Sequence, residues 1–294
     1  MDDIVIGAIG GYEFHQIKNW VYSLNQTAFD GDRVMISYGS SDDVVSKLKE
    51  NGFEVYEVNW DGWGRPLSGG NELITHSGLV NPENAHRLVH NLRFFHIWHL
   101  LSQFKKEGRK YDRLITTDVR DVIFQGNPSD WLDANQEKPI IAPGESVMYK
   151  DESWNLTNFV TTFGNLLWEY LGKDIQVCNV GTIAGNVDEL REMSYMIYSL
   201  AVGNGHGDQP AFNILSNTSY KDKVQFVRTD DYWACQTGTL VENYDKLKSV
   251  LLDKPPYMGM DGLVRNSKDD IFCLVHQYER IPEWNDIIEK KYPL

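Results

Sequence analysis

Over its first 58 residues the chain alternates short apolar runs with amphipathic ones, and only a few residues separate them. Residues 3–9 read as a first strand, Phe14–Thr27 as a helix and Arg33–Tyr38 as a second strand. Ser41–Asn51 reads as a helix stopped by Gly52, and Phe53–Val58 as a third strand. Strand and helix in alternation, with connections this short, bury both apolar sets as a mainly parallel sheet flanked by helices. The fold class expected is therefore α/β. At 294 residues the chain can bury a full core, and it contains no repeat or low-complexity linker. It reads as one domain, 1–294, built from halves 1–128 and 129–294.

Asn59–Pro82 is a long Gly-rich connection carrying Trp60 and Trp63. A loop of that length inside a compact domain is usually functional or mobile. Asn84–Gln103 reads as a helix with apolar residues on every side, among them Leu88, Leu92, Phe95, Ile97 and Leu101, and hence as a buried one. It leads to a strand, Leu114–Thr117, that runs straight into Asp118-Val119-Arg120-Asp121, a second apolar run and Pro128. Further on come a strand at Gln176–Ala184, a helix at Val187–Val202, a Gly-rich turn at Gly203–Gly207 and a helix from Asp208 or Gln209. A last strand, Ile271–Val275, ends at His276.

The net charge of −14 argues against nucleic acid or anionic lipid as the main partner. No stretch has the length and uniform apolarity of a membrane span. Residues 4–9 are too short for a secretory apolar region, and Asp2 and Asp3 stand where a positive start belongs, so a cytoplasmic protein is expected. Cys178, Cys235 and Cys273, odd in number and widely spaced, read as reduced buried thiols.

Carboxylates at the carboxyl end of a buried strand lie where an open α/β sheet holds a metal and a phosphate-bearing ligand. Left there without a cation they would be costly. Side chains alternate along a strand, so Asp118 and Asp121 can reach one ion only if the chain leaves extended geometry near Val119–Arg120. Carboxylates suit Mg²⁺ or Mn²⁺, and an added imidazole tilts the choice toward Mn²⁺. Arg120, between the two acids, can pair with the second or touch a diphosphate. His276 as a ligand must be neutral, so metal affinity should fall below about pH 6. The buried helix carries His86, Arg87, His90, Arg93, His96 and His99; no metalloprotease glutamate accompanies them, and the histidines read as satisfied or solvated. A buried Arg87 or Arg93 needs an anion, either a diphosphate or an acid of the Asp-Val-Arg-Asp motif. Asp208 reads as an N-cap with Pro210 in the first turn. After the first strand, Gly10 and Gly11 let backbone approach a ligand, and Tyr12 is available to stack on a base. This is not the spaced Gly-x-Gly-x-x-Gly of dinucleotide oxidoreductases. Trp60, Trp63, Trp154 and Trp233 sit in irregular segments where aromatic faces can stack on sugars.

An apolar strand ending in Asp-x-Asp, then an apolar segment and Pro, resembles the metal motif of GT-A glycosyltransferases, in particular retaining enzymes such as glycogenin and the lipopolysaccharide galactosyltransferases. Three further features agree with that family in chain order. Asn179-Val180-Gly181-Thr182 resembles its Asn-Ala-Gly strand, Gly207-Asp208-Gln209-Pro210-Ala211-Phe212-Asn213 its Asp-Gln-x-x-x-Asn helix start, and His276 its late metal-binding histidine. Two features depart from it. The acidic motif is one residue longer, and Gln277-Tyr278-Glu279-Arg280 replaces the ending that carries a phosphate-binding lysine.

The resemblance implies the GT-A fold and a metal-dependent glycosyltransferase. Such an enzyme would move a sugar from a nucleoside diphosphate sugar, expected to be a UDP-sugar, to a hydroxyl acceptor, expected to be a glycan, with retention. It implies Asp118, Asp121 and His276 as ligands of Mn²⁺ or Mg²⁺ on the diphosphate, and Asn179, Asp208 and Gln209 lining the sugar. Arg87 or Arg93 would stabilise the donor, with Gly10, Gly11, Tyr12 and Arg120 also on the donor side. Residues 1–128 then form the nucleotide-sugar-binding half and 129–294 the acceptor-side half. The alternatives are a non-catalytic sugar- or nucleotide-binding relative and a sugar-nucleotide nucleotidyltransferase, although the Gly-rich basic loop usual in the latter is missing. Should the reaction invert, Asp208 becomes a candidate general base.

Overall fold

A computed structural model describes residues 2–58, 72–73, 89–201 and 205–294. The first half runs β1 (Asp3–Gly10), α1 (Phe14–Gln26), β2 (Asp32–Tyr38), α2 (Asp42–Glu50), β3 (Glu54–Val58), a two-residue β4 (Glu72–Leu73), α3 (Val89–Lys106), β5 (Arg113–Thr117) and β6 (Val122–Phe124). The second runs α4 (Pro128–Asn135), β7 (Ile140–Met148), α5 (Ser153–Tyr170), β8 (Gln176–Cys178), β9 (Thr182–Asn186), α6 (Val187–Leu200), α7 (Asp208–Asn217) and β10 (Val224–Val227). It closes with β11 (Ala234–Gln236), α8 (Thr237–Leu240), β12 (Tyr257–Met258), β13 (Val264–Arg265), β14 (Leu274–His276) and α9 (Pro282–Lys291).

The main sheet has the order β10-β7-β9-β5-β1-β2-β3-β4, with β8 beside β7. β1, β2, β3, β4 and β5 are mutually parallel, and β9 runs antiparallel to both β5 and β7. The apolar run of β1 is continuous because both faces are covered. Ile4 and Ile6 join Val34, Ile36, Leu114 and the α3 residues Ile97, Leu100 and Leu101. Val5 and Ile9 face the other way, onto Ile17, Trp20, Val21 and Leu24 of α1. The Trp20 indole N–H donates to Thr117 Oγ1 at 2.8 Å, tying α1 to the last residue of β5. Ser41 caps α2, its hydroxyl accepting from the Val44 amide.

A small second sheet, β11-β14-β6, sits beyond the carboxyl end of β5. It rests on a separate core that includes Ile123, Phe272, Val275, Trp284 and Ile288. Its central strand differs from the expected 271–275: the paired residues are Leu274–His276. The register sets His276 opposite Val122 and Gln236.

The expected single strand Gln176–Ala184 is two strands, β8 on β7 and β9 on β5, with Asn179–Gly181 between them. The break has a physical cause. Asn179 turns its side-chain oxygen back onto the Gly181 amide at 2.7 Å, and its own amide goes to the Pro143 carbonyl. Asp208 is the first residue of α7 rather than its cap, which is Gly207. All three cysteines are buried and unpaired. Among the described residues no helix is long and apolar enough to cross a membrane.

Gly185, like Ala184 before it, pairs with both neighbours of β9, facing Leu114 of β5 and Ile140 of β7. Its φ is 151°, and a Cβ there would stand 2.1 Å from the Pro139 carbonyl oxygen. Gly185→Ala should therefore lower stability by at least about 2 kcal/mol. Urea unfolding measures this; an unchanged midpoint contradicts the packing described.

Candidate functional site

β5 stops at Thr117, and the chain bends at Val119 and turns at Arg120 and Asp121 before β6 begins. That departure from extended geometry brings both carboxylates to one side. The Asp118 amide is anchored on the Gly181 carbonyl at 2.8 Å, and the Asp121 carbonyl accepts from the Gln277 amide at 2.6 Å. Pairing of β14 with β6 then delivers His276 beside Asp121. One ligand atom each from Asp118, Asp121 and His276 lies within 4.8 Å of the others. His276 Nε2 is 3.4 Å from Asp118 Oδ2 and 3.7 Å from Asp121 Oδ2.

The imidazole is held for ligation. Its Nδ1 is 2.7 Å from Gln236 Oε1, and Gln236 spends its amide nitrogen on Thr182 Oγ1 at 3.0 Å. Gln236 therefore offers only an acceptor, and Nδ1 must carry the proton. In the neutral ring Nε2 then keeps its lone pair, buried, outside hydrogen-bond geometry and aimed at Asp118 and Asp121. A neutral imidazole oriented through its other nitrogen, facing two carboxylates, is a donor set that fits a divalent cation. Burial lowers the imidazole's proton affinity, but Asp121 and Asp118 more than offset it, so its pKa is raised.

Arg93, buried on α3, spans two acids. One guanidinium nitrogen donates to Asp118 Oδ1 and the other lies 3.4 Å from Asp208 Oδ2. Burial works against ionising Asp118, yet Arg93 and His276 outweigh it and hold the carboxyl well below its usual range. At Asp208 burial prevails over Arg93 and His90, and the pKa is raised. Of the anionic partners expected for a buried arginine, the acid of the Asp-Val-Arg-Asp motif is the one Arg93 meets. Arg87 lies outside the described residues, as do Trp60, Trp63, His86 and Gly203.

Beside these groups is a buried carboxamide–carboxylate network. Asn179 Nδ2 donates to Glu145 Oε1 at 2.9 Å. Gln209 Nε2 donates to the same oxygen at 3.2 Å and to Asn155 Oδ1 at 2.6 Å, while its Oε1 accepts from the Val180 amide. Asn213 clamps α7 to β8 through both the amide and the carbonyl of Cys178. Gly181 has to be glycine for this to close: a Cβ would stand 2.5 Å from Asp118 Oδ2 and 2.9 Å from Asn179 Oδ1.

Glu145 and Gln236 carry no sequence-based expectation. Burial pushes the Glu145 pKa up. β7 bulges between Gly144 and Met148, with Ser146 at a φ of 51°, and the bulge re-aims this stretch toward the site. An acid inside the apolar run Ile140–Met148 was the legible signal for Glu145. Nothing local marks Gln236.

On the other flank, Gly10 ends β1, and the space where a Gly11 side chain would stand is open. Tyr12 is half-buried, which raises its pKa, and it lies in the field of Arg120, Asp121 and Asp118. Arg120 reaches Glu279 at 3.2 Å rather than Asp121. His96 belongs to the core, bonded to the Tyr38 hydroxyl at 2.7 Å, and Trp233 is buried with its N–H on the Thr182 carbonyl.

No protein-family model matches the chain, and no curated protein matches it by sequence. Solved structures do share its fold. The apo structure of the bifunctional glycosyltransferase WbbM superposes with a TM-score of 0.58 at 13% identity, over 98% of this chain and 49% of that one. The glycosyltransferase GlyE of Streptococcus pneumoniae TIGR4 gives 0.50 at 13% identity, over 99% and 63%. The chain thus spans about half of the length of the first and 63% of the second. The likeness establishes the fold, the mixed, mainly parallel sheet flanked by helices expected of the GT-A type.

The two arginines should respond unequally to removal. Arg93→Met leaves Asp118 and Asp208 without their shared cation and should cost about 3–5 kcal/mol. Arg120→Met removes a half-exposed pair and should cost less than about 1 kcal/mol. Metal-free chemical denaturation compares them, and equal losses contradict the role of Arg93 in the site.

Proposed function

We propose that the chain is a metal-dependent glycosyltransferase that moves a sugar from a nucleoside diphosphate sugar to a hydroxyl acceptor. The observation that carries this is the buried Nε2 of His276 facing the Asp118 and Asp121 carboxylates. They stand beyond a parallel strand of a sheet whose fold is shared with glycosyltransferases. Asp118, Asp121 and His276 would hold Mn²⁺, or Mg²⁺. When bound, the ion neutralises the charge that develops on the departing diphosphate.

The remaining roles fall to the chain's own groups. Gly10 and Gly11, the latter with open space where a side chain would stand, would let the donor approach the backbone, and Tyr12 offers a ring to the base; a UDP-sugar is the donor we infer. Arg93 keeps Asp118 ionised, and thereby ready to ligate, while Asp208 would bind a donor hydroxyl. Asn179 and Gln209, locked by Glu145 and Asn155, form a rigid polar wall for the sugar hydroxyls. A preorganised wall of this kind stabilises a transition state without reorganising during the reaction. Arg120, paired with Glu279, borders the donor side. Residues 1–128 would bind the nucleotide sugar and 129–294 the acceptor, a glycan. Retention of the anomeric configuration is inferred from the Asp208-Gln209 helix start.

Turnover of UDP-sugars should vanish with EDTA and return with Mn²⁺, and Asp121→Ala should lose it at least about 100-fold. The anomer released, read by NMR, should match that of the donor. Activity that survives EDTA, or is unchanged in Asp121→Ala, removes the metal assignment; an inverted product removes retention.

Gln236 acts on the site through His276. Gln236→Leu should weaken manganese affinity by about 10–100-fold while leaving all three ligands in place. Titration of Mn²⁺ followed by its electron paramagnetic resonance signal measures this. Unaltered affinity means that the imidazole does not need this partner.

A further inference from the structure

Of the nine tryptophans, Trp60 and Trp63 fall outside the described residues. Among the others Trp154 alone is exposed, at 51%. Its backbone is fixed. Glu152 caps α5 by accepting from the Trp154 and Asn155 amides at 3.1 and 2.7 Å. The next side chain, Asn155, turns inward to Gln209 while Trp154 turns outward. The indole meets the edge of His206, ring centres 5.8 Å apart, and His206 lies 5.4 Å from His90. His206 is two residues before Asp208, His90 is three before Arg93, and His90 is within electrostatic reach of both Asp118 and Asp208. The three rings form a strip that ends at His90, one helical turn before Arg93.

The strip is on the side away from the nucleotide. β1 and Tyr12 flank β5 on one side, whereas β9 and then β7, which leads into α5, flank it on the other. A ligand on Trp154 is therefore separated from one on Tyr12 by the acids at the end of β5. The chemistry of the strip suits a sugar. An indole face takes the C–H face of a pyranose, a rigid contact at little entropic cost, and imidazoles bond hydroxyls at its rim. The Glu152 carboxylate, which caps the helix that carries Trp154, disfavours an anionic ring.

We propose that Trp154, with His206 and His90, forms the acceptor subsite and stacks on a neutral pyranose of an oligosaccharide acceptor; this rests on the glycosyltransferase reading. The test applies labelled full-length protein, with UDP and Mn²⁺, to a printed array of neutral, sialylated and phosphorylated oligosaccharides. Calorimetry of UDP with Mn²⁺ runs in parallel. Wild type should bind a set of neutral oligosaccharides, Trp154→Ala should bind them about tenfold or more weakly, and Trp154→Phe should recover much of the loss. His206→Ala should weaken the same spots, and all variants should bind UDP–Mn²⁺ alike. Undiminished binding by Trp154→Ala, preference for anionic glycans, or wild type that binds UDP–Mn²⁺ but no oligosaccharide overturns the proposal. Wild type that binds oligosaccharides through Trp154 but not UDP–Mn²⁺ overturns the donor reading instead and leaves the stacking site standing.

Discussion

Asp118 is the residue on which three distant parts of the chain converge. Its carboxylate accepts a hydrogen bond from the Arg93 guanidinium on α3, faces His276 at the end of β14, and lies against the bare backbone of Gly181 before β9. Its own amide is bonded to the Gly181 carbonyl, so side chain and backbone report the same approach. A carboxylate this enclosed is tolerable only with cationic neighbours. Arg93 supplies one, and the space between Asp118, Asp121 and His276 suits another. Much of the local architecture follows: the turn after β5, the break between β8 and β9, and the pairing of β14 with β6 all serve to keep this one oxygen pair in place.

The antiparallel strand β9 has a second consequence. By inserting between β5 and β7 it brings the carboxyl end of β5 and the bulge of β7 to the same edge. Asp118 and Glu145 thereby share a neighbour, the Asn179–Gly181 segment, and α7 packs over it through Asn213 and Gln209. The two acids that contact Arg93 end in different electrostatic states, Asp118 lowered and Asp208 raised. Groups driven apart in this way are suited to different tasks in one site.

Much of this was legible locally. The alternation of β1 to β3 with their helices, the acids following β5, the Asn179 and Asp208 segments and the strand-end His276 all have signals within a few residues of themselves. Boundaries were less so. The run 176–184 looks like one strand because its apolar pattern is continuous, and only a hydrogen bond from the Gly181 amide to its neighbour Asn179 shows the break. Gln236 was invisible because a glutamine after an apolar pair has no pattern; its meaning comes from His276, forty residues later. Glu145 stood out only as an acid in an apolar run, and its partners are Asn179 and Gln209.

The amino-acid sequence by itself determined the α/β class, the first strands and helices and the residue types available for chemistry, because periodicity, glycine and carboxylate placement act over short distances along the chain. Tertiary structure alone decided which of those residues share a site. Arg93 meets Asp118 and Asp208, His276 meets Asp121, and Gln236 sets the tautomer of His276. Each of these is a contact across tens to more than a hundred residues, set by strand order and register, and neither quantity is written in any local stretch of the chain.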